Sequence, residues 1–121
     1  MMARFYQNGN AIDYPNNTTE TIQYGEVVKL GGKIGIALEA IPTGAVGSLG
    51  IEGIYQMDSD TGTAFAVGDT LYLDNNGKVT KTAGDTVAGW AAYPKESAGT
   101  EAYVKINGAA AVKVEQQDVE Q

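Results

Sequence analysis

The stretch Ala66–Thr82, AVGDTLYLDNNGKVTKT, predicts a β-hairpin and with it the class of the fold. Asp74 stands at the first position of a turn and Gly77 at the fourth, as a type I turn prefers. Gly77 can take the left-handed conformation that completes a three-residue hairpin loop with a bulge. That loop sets Val79 opposite Leu73, whereas a two-residue loop would set Val79 opposite Asp74. The register that pairs two apolar side chains on one face is the more stable one, so we predict the three-residue loop.

Other segments of the chain show the same pattern of short strands between tight turns. Glu101–Asn107 alternates most cleanly between apolar and polar residues, and Thr86–Tyr93 is apolar on both faces, as a central strand is. Leu49–Met57 also alternates and predicts one strand with a bulge or bend at Gly53. We expect an all-β fold, a small β-barrel or two-layer β-tulip-like domain of roughly seven to nine strands. No internal repeat of fixed period is evident.

By composition the chain divides into an N-terminal arm (residues 1–10), a β domain (11–107) and a C-terminal tail (108–121). The arm has no apolar period, yet it holds the only arginine of the chain beside two aromatic residues. Arginine and aromatic side chains concentrate binding energy at interfaces. We therefore predict that the arm is flexible in the free protein and becomes ordered on a partner. The candidate contact residues are Arg4, Phe5, Tyr6, Gln7 and Asn8.

The composition excludes several classes of function. The chain has no Cys and no His, which excludes disulfides, thiolate metal sites and Cys nucleophiles and removes the commonest general base. The net charge of −7 argues against binding to nucleic acid or to an anionic membrane. No apolar run approaches membrane-spanning length, and residues 1–10 lack the apolar middle of a secretion signal. We expect a soluble protein made in a cytoplasm, without a cofactor or a metal.

Three motifs carry possible chemistry, each with a structural alternative. Asp60-Thr61-Gly62 matches the active-site tripeptide of aspartic proteases, which would make the protein a dimeric hydrolase using Asp60, but such tripeptides are common in turns. Asp58, Asp60 and Asp69 resemble a calcium loop faintly and lack its glycine and glutamate at the required positions. Trp90 is a candidate ligand platform, as in a carbohydrate-binding β module, or a residue of the core or of a subunit interface.

The order of several segments resembles a known family. Gly68–Asp74 reads G-D-x-L-Y-L-D and is followed by the V-T-K-T segment Val79–Thr82, the strand Ala88–Ala92 and the closing strand Val104–Asn107. Three segments upstream also match: Tyr24–Val28, Ile34–Ala37 and Ala45–Tyr55. Together they resemble the capsid cement, or head-decoration, proteins of tailed bacteriophages, over about residues 3–107. Glu26 stands where the family usually has Asp.

This resemblance implies a non-enzymatic structural role on a virion. The family is similar in role to the lambda head-decoration protein, a β-rich protein that sits as trimers on the outer capsid. The resemblance implies clamping of neighbouring coat subunits after the head expands, with the major capsid protein as partner. It also implies a homotrimer at the three-fold sites, for which Trp90 is the candidate interface residue. Assembly would take place in the host cytoplasm.

Overall fold

A computed structural model describes residues 1–108 and contains nine strands and no helix within them. The predicted all-β class is therefore confirmed. Apart from Gly108, the predicted tail lies outside the described residues. The strands are β1 (Ala11–Pro15), β2 (Val27–Leu30), β3 (Lys33–Ala37), β4 (Val46–Gly50), β5 (Ile54–Asp58), β6 (Thr70–Leu73), β7 (Val79–Thr80), β8 (Val87–Ala91) and β9 (Glu101–Ile106).

The hairpin between β6 and β7 has the predicted register. Leu73 pairs with Val79, and the N–H of Asp74 donates to the carbonyl of Lys78 at 2.8 Å. Gly77 has a φ of 79°, the left-handed conformation that the three-residue loop requires. The Asp74 carboxylate holds the loop from inside, since its Oδ1 accepts the Lys78 N–H at 3.0 Å. The local sequence is sufficient to determine this element.

The strands form two antiparallel sheets. The first sheet has the order β1-β4-β3-β2, and the second has the order β5-β9-β8-β6-β7. The predicted central strand is β8, which lies between β9 and β6. Within residues 1–108 no strand pairing joins one sheet to the other. The two ends of the second sheet meet in an isolated parallel bridge between Ser59, directly after β5, and Val79 of β7.

The two sheets are two copies of one four-stranded unit. In the first unit the edge strand β1 pairs with β4, then β3, then β2; in the second, β5 pairs with β9, then β8, then β6. β5 begins 43 residues after β1, and β6 begins 43 residues after β2. β8 begins 54 residues after β3, because the hairpin that contains β7 is inserted between β6 and β8. This insertion removes any fixed period, which is why no repeat is evident in the sequence.

Equivalent backbone hydrogen bonds outside the strands occur in both units. The N–H of Gly25 donates to Ala37 O at 2.8 Å in the first unit, and the N–H of Gly68 donates to Ala91 O at 2.8 Å in the second. Both glycines have positive φ, 86° and 93°, in the turns that lead into β2 and β6. Isolated antiparallel bridges also correspond, between Ile22 and Ile41 and between Phe65 and Lys95.

The segment Leu49–Met57 is not one strand, which corrects the sequence prediction. β4 ends at Gly50 and β5 begins at Ile54, and the chain crosses between the sheets through Gly53, whose φ is 122°. Leu49 packs in a small core with Ile22, Ala37 and Ile41, whereas Met57 packs in a larger core that both units share. Alternation of apolar and polar residues indicates that the apolar side chains face a core, but it does not indicate which core.

A glycine in β8 allows close contact with β9. Gly89 has a φ of 150°, and a methyl group added there would lie 2.8 Å from the carbonyl carbon of Lys105 and 2.9 Å from Ile106 Cα. No side chain fits between the two backbones at this point. The register that results places Trp90 directly opposite Lys105.

Candidate functional site

The N-terminal arm is exposed along its whole length and forms no strand. Phe5 and Tyr6 are 82% and 90% exposed, which is unusual for two adjacent aromatic side chains. No acidic residue precedes Asp13, so the arm is a basic segment on a chain of net charge −7. The assignment of Arg4, Phe5, Tyr6, Gln7 and Asn8 as contact residues stays a prediction.

The arm leaves the domain next to the end of β4. The carbonyl of Asn10 accepts the N–H of Ile51 at 3.0 Å, next to the start of β1. A methyl group added to Gly50, which neighbours Ile51, would collide with the Tyr55 hydroxyl and lie 3.2 Å from Leu38 Cδ2. Tyr55 and Leu38 also line a surface groove, which therefore lies close to Gly50 of β4.

The groove has a volume of about 330 Å³ and lies between β5 and the turn and strands of the first unit. One wall is formed by Tyr55, Gln56, Met57 and Asp58. The other wall is formed by Tyr24, Gly25, Val27, Ile36, Ala37 and Leu38, and Gly77 lies at the margin. The β5 wall has four consecutive residues, whereas one face of a sheet would present alternate residues. The groove therefore runs along the edge of β5.

That edge of β5 carries unpaired backbone groups. Ser59 N–H donates to Thr100 O and Ile106 N–H donates to Gly53 O, which fixes the alternation of the β5–β9 pair. Bonds to β9 therefore come from Tyr55 and Met57, and the amides of Ile54, Gln56 and Asp58 point away from β9. In the part of the chain that the structure describes, no hydrogen bond satisfies the amides of Ile54 and Gln56. β7 lies against the end of this edge, through a parallel bridge between Ser59 and Val79.

The end of this edge carries two opposed carboxylates. Asp58 and Glu101 are directly opposite in the β5–β9 register, and both side chains are exposed. Gln56 Nε2 donates a hydrogen bond to Glu101. Among residues 1–108, neither carboxylate forms an ion pair. Like charges opposite one another in a sheet destabilise it.

The outer face of the second sheet is aromatic around Trp90. Trp90 is half-buried, and Gly108 lies against its indole ring. Tyr93 and Tyr103 meet edge to face, with ring centroids 5.6 Å apart and planes at 77°, and both remain exposed. The predicted interface residue thus belongs to a larger exposed aromatic face, and its role stays a prediction.

The carboxylate motifs do not assemble into a metal site. Among the described residues, no cluster of three or more Asp or Glu side chains is placed to hold a metal ion. Asp69 accepts the Ala66 N–H at 2.7 Å and pairs with Lys81 at 3.2 Å. These contacts, the backbone N–H first, hold the pKa of the Asp69 carboxyl below its ordinary value. Asp69 is therefore engaged as a turn residue.

Asp60 of the protease-like tripeptide lies in a loop fixed by the sheet. Its N–H donates to Val79 O at 3.0 Å, and the N–H of Gly62 donates to Ser97 O at 2.7 Å. Its Oδ1 is buried and has no hydrogen-bond partner within the described chain. The loop is therefore held by backbone bonds to two segments that are distant in the sequence.

Two asparagines have structural roles that the sequence did not reveal. Asn16 is fully buried, and its Nδ2 donates to Glu20 O at 2.8 Å and to Ile41 O at 2.7 Å. Asn107 has a φ of 57° and joins the end of β9 to the first unit through Ile34. Asn16 stands in an Asn-x-Thr sequence, which indicated only a glycosylation sequon.

A scan of protein-family models matches residues 6–106 to the phage cement proteins. The match spans both units and ends at the last residue of β9. The chain belongs to the phage cement family. No curated protein and no solved structure matches it. No helix in the described part of this cement protein has the length and apolar character to cross a membrane.

Membership confirms the resemblance seen in the sequence and gives the coarse function. The protein is a cement protein of a bacteriophage, with a place on the capsid of the virion. Family membership also favours a structural over an enzymatic role. The β-rich, two-unit architecture is the scaffold that presents the arm, the groove and the aromatic face.

Proposed function

We propose that this cement protein binds the outer surface of the expanded phage head and stabilises it by clamping neighbouring coat subunits. The observation that carries the proposal is the family match over residues 6–106. Such a role needs contact area and shape rather than chemistry. It is performed on the virion after assembly in the host cytoplasm, with the major capsid protein as partner.

The arm provides the first contact with the coat. Arg4, Phe5, Tyr6, Gln7 and Asn8 bind by main-chain and side-chain contacts once the arm becomes ordered on the shell. Support comes from the exposure of Phe5 and Tyr6 and from the absence of acidic residues before Asp13. Ordering the arm costs entropy, and the repetition of sites on the capsid offsets this cost.

The working form is a homotrimer at the three-fold sites of the capsid, with Trp90 in the subunit interface. A closed three-fold assembly matches the symmetry of those sites. The aromatic face around Trp90 supports this assignment, because exposed aromatic residues are enriched at interfaces. Free subunits can be monomeric and trimerise only on the shell.

The decisive experiment adds purified protein to expanded heads that lack it and measures bound protein by co-sedimentation. Full-length protein is expected to saturate the heads and to raise the temperature at which they release DNA. Deletion of residues 1–9 is expected to leave the melting temperature of the free protein unchanged and to abolish binding. Full-strength binding by the truncated protein, or its unfolding, contradicts the role of the arm. Absence of binding by the full chain contradicts the function itself.

A carbohydrate-binding module is the second candidate, favoured by the exposed pair Tyr93 and Tyr103 on the aromatic face. Aromatic faces of this kind also stack on sugar rings. A glycan array separates the two candidates, since a cement protein is expected to leave it unlabelled. The variant Asp60→Ala tests the alternative of a dimeric aspartic hydrolase. If the role is structural, this variant is expected to bind capsids like the wild type.

A further inference from the structure

We propose that Asn8 is a modification site, at which spontaneous deamidation removes the side-chain amide and leaves a carboxylate that weakens binding by the arm. The chain holds three Asn-Gly pairs: Asn8-Gly9, Asn76-Gly77 and Asn107-Gly108. Asparagine before glycine is well suited to this reaction, because glycine has no Cβ to hinder the ring that forms. The structure leaves the first pair free to react and restrains the other two.

The reaction needs only water and a backbone that can bend. The glycine nitrogen loses its proton to solvent base and attacks Cγ of the asparagine. A bond from this nitrogen to Cγ forms, the bond from Cγ to the side-chain nitrogen breaks, and ammonia leaves. Water then opens the cyclic succinimide at either carbonyl and gives aspartate or isoaspartate. The asparagine side chain and the glycine nitrogen must therefore both be free to move.

The pair Asn107-Gly108 is restrained at the asparagine side chain. Asn107 Oδ1 accepts the Ile34 N–H at 3.0 Å, and Nδ2 donates to Ile34 O at 2.8 Å and to Ile51 O at 3.0 Å. These three bonds must break before Cγ can turn toward the nitrogen of Gly108. Deamidation at Asn107 is therefore expected to be about a hundredfold slower than at an unrestrained pair.

The pair Asn76-Gly77 is restrained at the backbone. The attacking nitrogen is that of Gly77, whose N–H donates to Asp74 O at 3.1 Å. The N–H of Asn76 donates to Asp74 Oδ1 at 2.8 Å. Both bonds belong to the loop between β6 and β7, so the attack requires the turn to open. Deamidation at Asn76 is expected to be about tenfold slower than at an unrestrained pair.

The pair Asn8-Gly9 has neither kind of restraint in residues 1–108. Both residues are exposed, and neither forms a hydrogen bond there. The backbone is first fixed at Asn10, whose carbonyl accepts the N–H of Ile51. A methyl group added to Gly9 would meet nothing within 4 Å, which shows how open this position is. Asn8 is therefore the asparagine that deamidates first.

The product changes the charge of the arm. Arg4 is the only charged side chain before Asp13, so the side chains of the arm carry a net positive charge. A segment of this charge fits an acidic surface, which a new carboxylate at position 8 would repel. Isoaspartate also adds one carbon to the backbone and displaces the side chains that precede it. The effect on binding rests on the proposed function, in which the arm contacts the coat.

The first test incubates the purified protein at mildly alkaline pH and follows each pair by peptide mass spectrometry. The expected order of loss is Asn8, then Asn76, then Asn107. Gly9→Ala is the matched control, because the methyl group fits the open space at Gly9 and hinders ring formation. In this variant Asn8 should keep its amide while Asn76 reacts as before. Faster loss at Asn76 or Asn107 than at Asn8 overturns the proposal, as does equal loss at Asn8 in Gly9→Ala and the wild type.

The second test measures binding to expanded heads by co-sedimentation. Asn8→Asp carries the charge of the product and is expected to bind about threefold to tenfold more weakly than the wild type. Asn8→Gln keeps a neutral amide and should bind within about twofold of the wild type. After the alkaline incubation the wild type should lose binding and Gly9→Ala should retain it. Equal binding by Asn8→Asp and Asn8→Gln overturns the effect on the arm and leaves the proposed function intact. Absence of binding by fresh wild-type protein contradicts the proposed function, and the order of deamidation still decides the site.

Discussion

The side chain of Asn107 pairs with the backbone of Ile34 as a neighbouring strand would. Asn107 Oδ1 accepts the Ile34 N–H at 3.0 Å, and Asn107 Nδ2 donates to Ile34 O at 2.8 Å and to Ile51 O at 3.0 Å. Asn107 follows β9 of the second unit, and Ile34 lies in β3 of the first. One amide therefore connects the two sheets, between which no strands pair in residues 1–108. A longer backbone bond, from Val87 N–H to Gly32 O at 3.4 Å, also joins the two units.

Asn107→Ala is expected to destabilise the fold by about 2–4 kcal/mol, because it leaves backbone groups of Ile34 without partners. Asn107→Gly loses the same bonds but accepts the left-handed φ of 57°, and it should be about 1 kcal/mol less harmful. Urea unfolding measures both free energies. Asn75→Ala, in the exposed hairpin loop, is the control and should change stability by less than about 0.5 kcal/mol. An Asn107→Ala protein as stable as this control contradicts the connecting role.

Gly89→Ala is expected to cost roughly 3 kcal/mol or to prevent folding, because the methyl group would enter the backbone of β9. Gly84→Ala is the matched control, since nothing lies within 4 Å of a methyl group there. The control should be neutral or slightly stabilising, since alanine restricts the unfolded chain. Thermal melting of the two variants gives the comparison. Similar melting temperatures would contradict the close contact between β8 and β9.

Asp69 should make stability depend on pH at the acidic end. Its folded pKa lies below the unfolded value, so its contribution is complete above about pH 5. The contribution is lost as the pH falls from about 4 through the folded pKa. Asp69→Asn keeps an acceptor for the Ala66 N–H and should reduce this loss. The measurement is the melting temperature of both proteins between neutral and acidic pH, and parallel curves would contradict the prediction.

Lys81→Met separates the two causes of the shift in the Asp69 pKa. The Ala66 N–H is the larger cause and survives this change, so most of the acid dependence should remain. High salt should act in the same direction as Lys81→Met, because it screens the exposed ion pair. Loss of the entire acid dependence in Lys81→Met would show that the ion pair dominates.

Asp58→Asn should stabilise the free protein. The substitution removes the repulsion between Asp58 and Glu101, which is worth a few tenths of a kcal/mol to about 1 kcal/mol. Thermal melting of the free protein measures the effect. Asp85→Asn, a change of one exposed acid outside the groove, is the control for net charge. A melting temperature of Asp58→Asn no higher than that of this control would contradict the repulsion.

Much of the local structure followed from the sequence. The Leu73–Val79 register, the central position of β8 and the buried face of β9 depend on turn residues and on alternation over a few positions. The family, too, is visible in the order of short segments, and the match over residues 6–106 confirms it. The arm was predicted from the absence of an apolar pattern, and its role stays a prediction.

The relation between the sheets was not predicted. Leu49–Met57 reads as one strand because each half faces a core, although the halves belong to different sheets. The duplication leaves only a faint trace, Tyr24-Gly25-Glu26 against Val67-Gly68-Asp69, and the hairpin inserted after β6 breaks its period.

The sequence by itself determined most of the strands, the tight turns and the family of this cement protein. Strands and turns depend on neighbours within a few residues, and the family is visible in the order of short segments. Only the tertiary structure decided which edges meet a neighbour and which stay open. Asn16 and Asn107 acquire their roles from carbonyl groups 25 and 73 residues away. The bridge between Ser59 and Val79, which brings β7 against the end of β5, likewise joins residues that are distant in the sequence. Pairing between distant segments is set by the packing of the whole chain, and a local pattern carries no record of it.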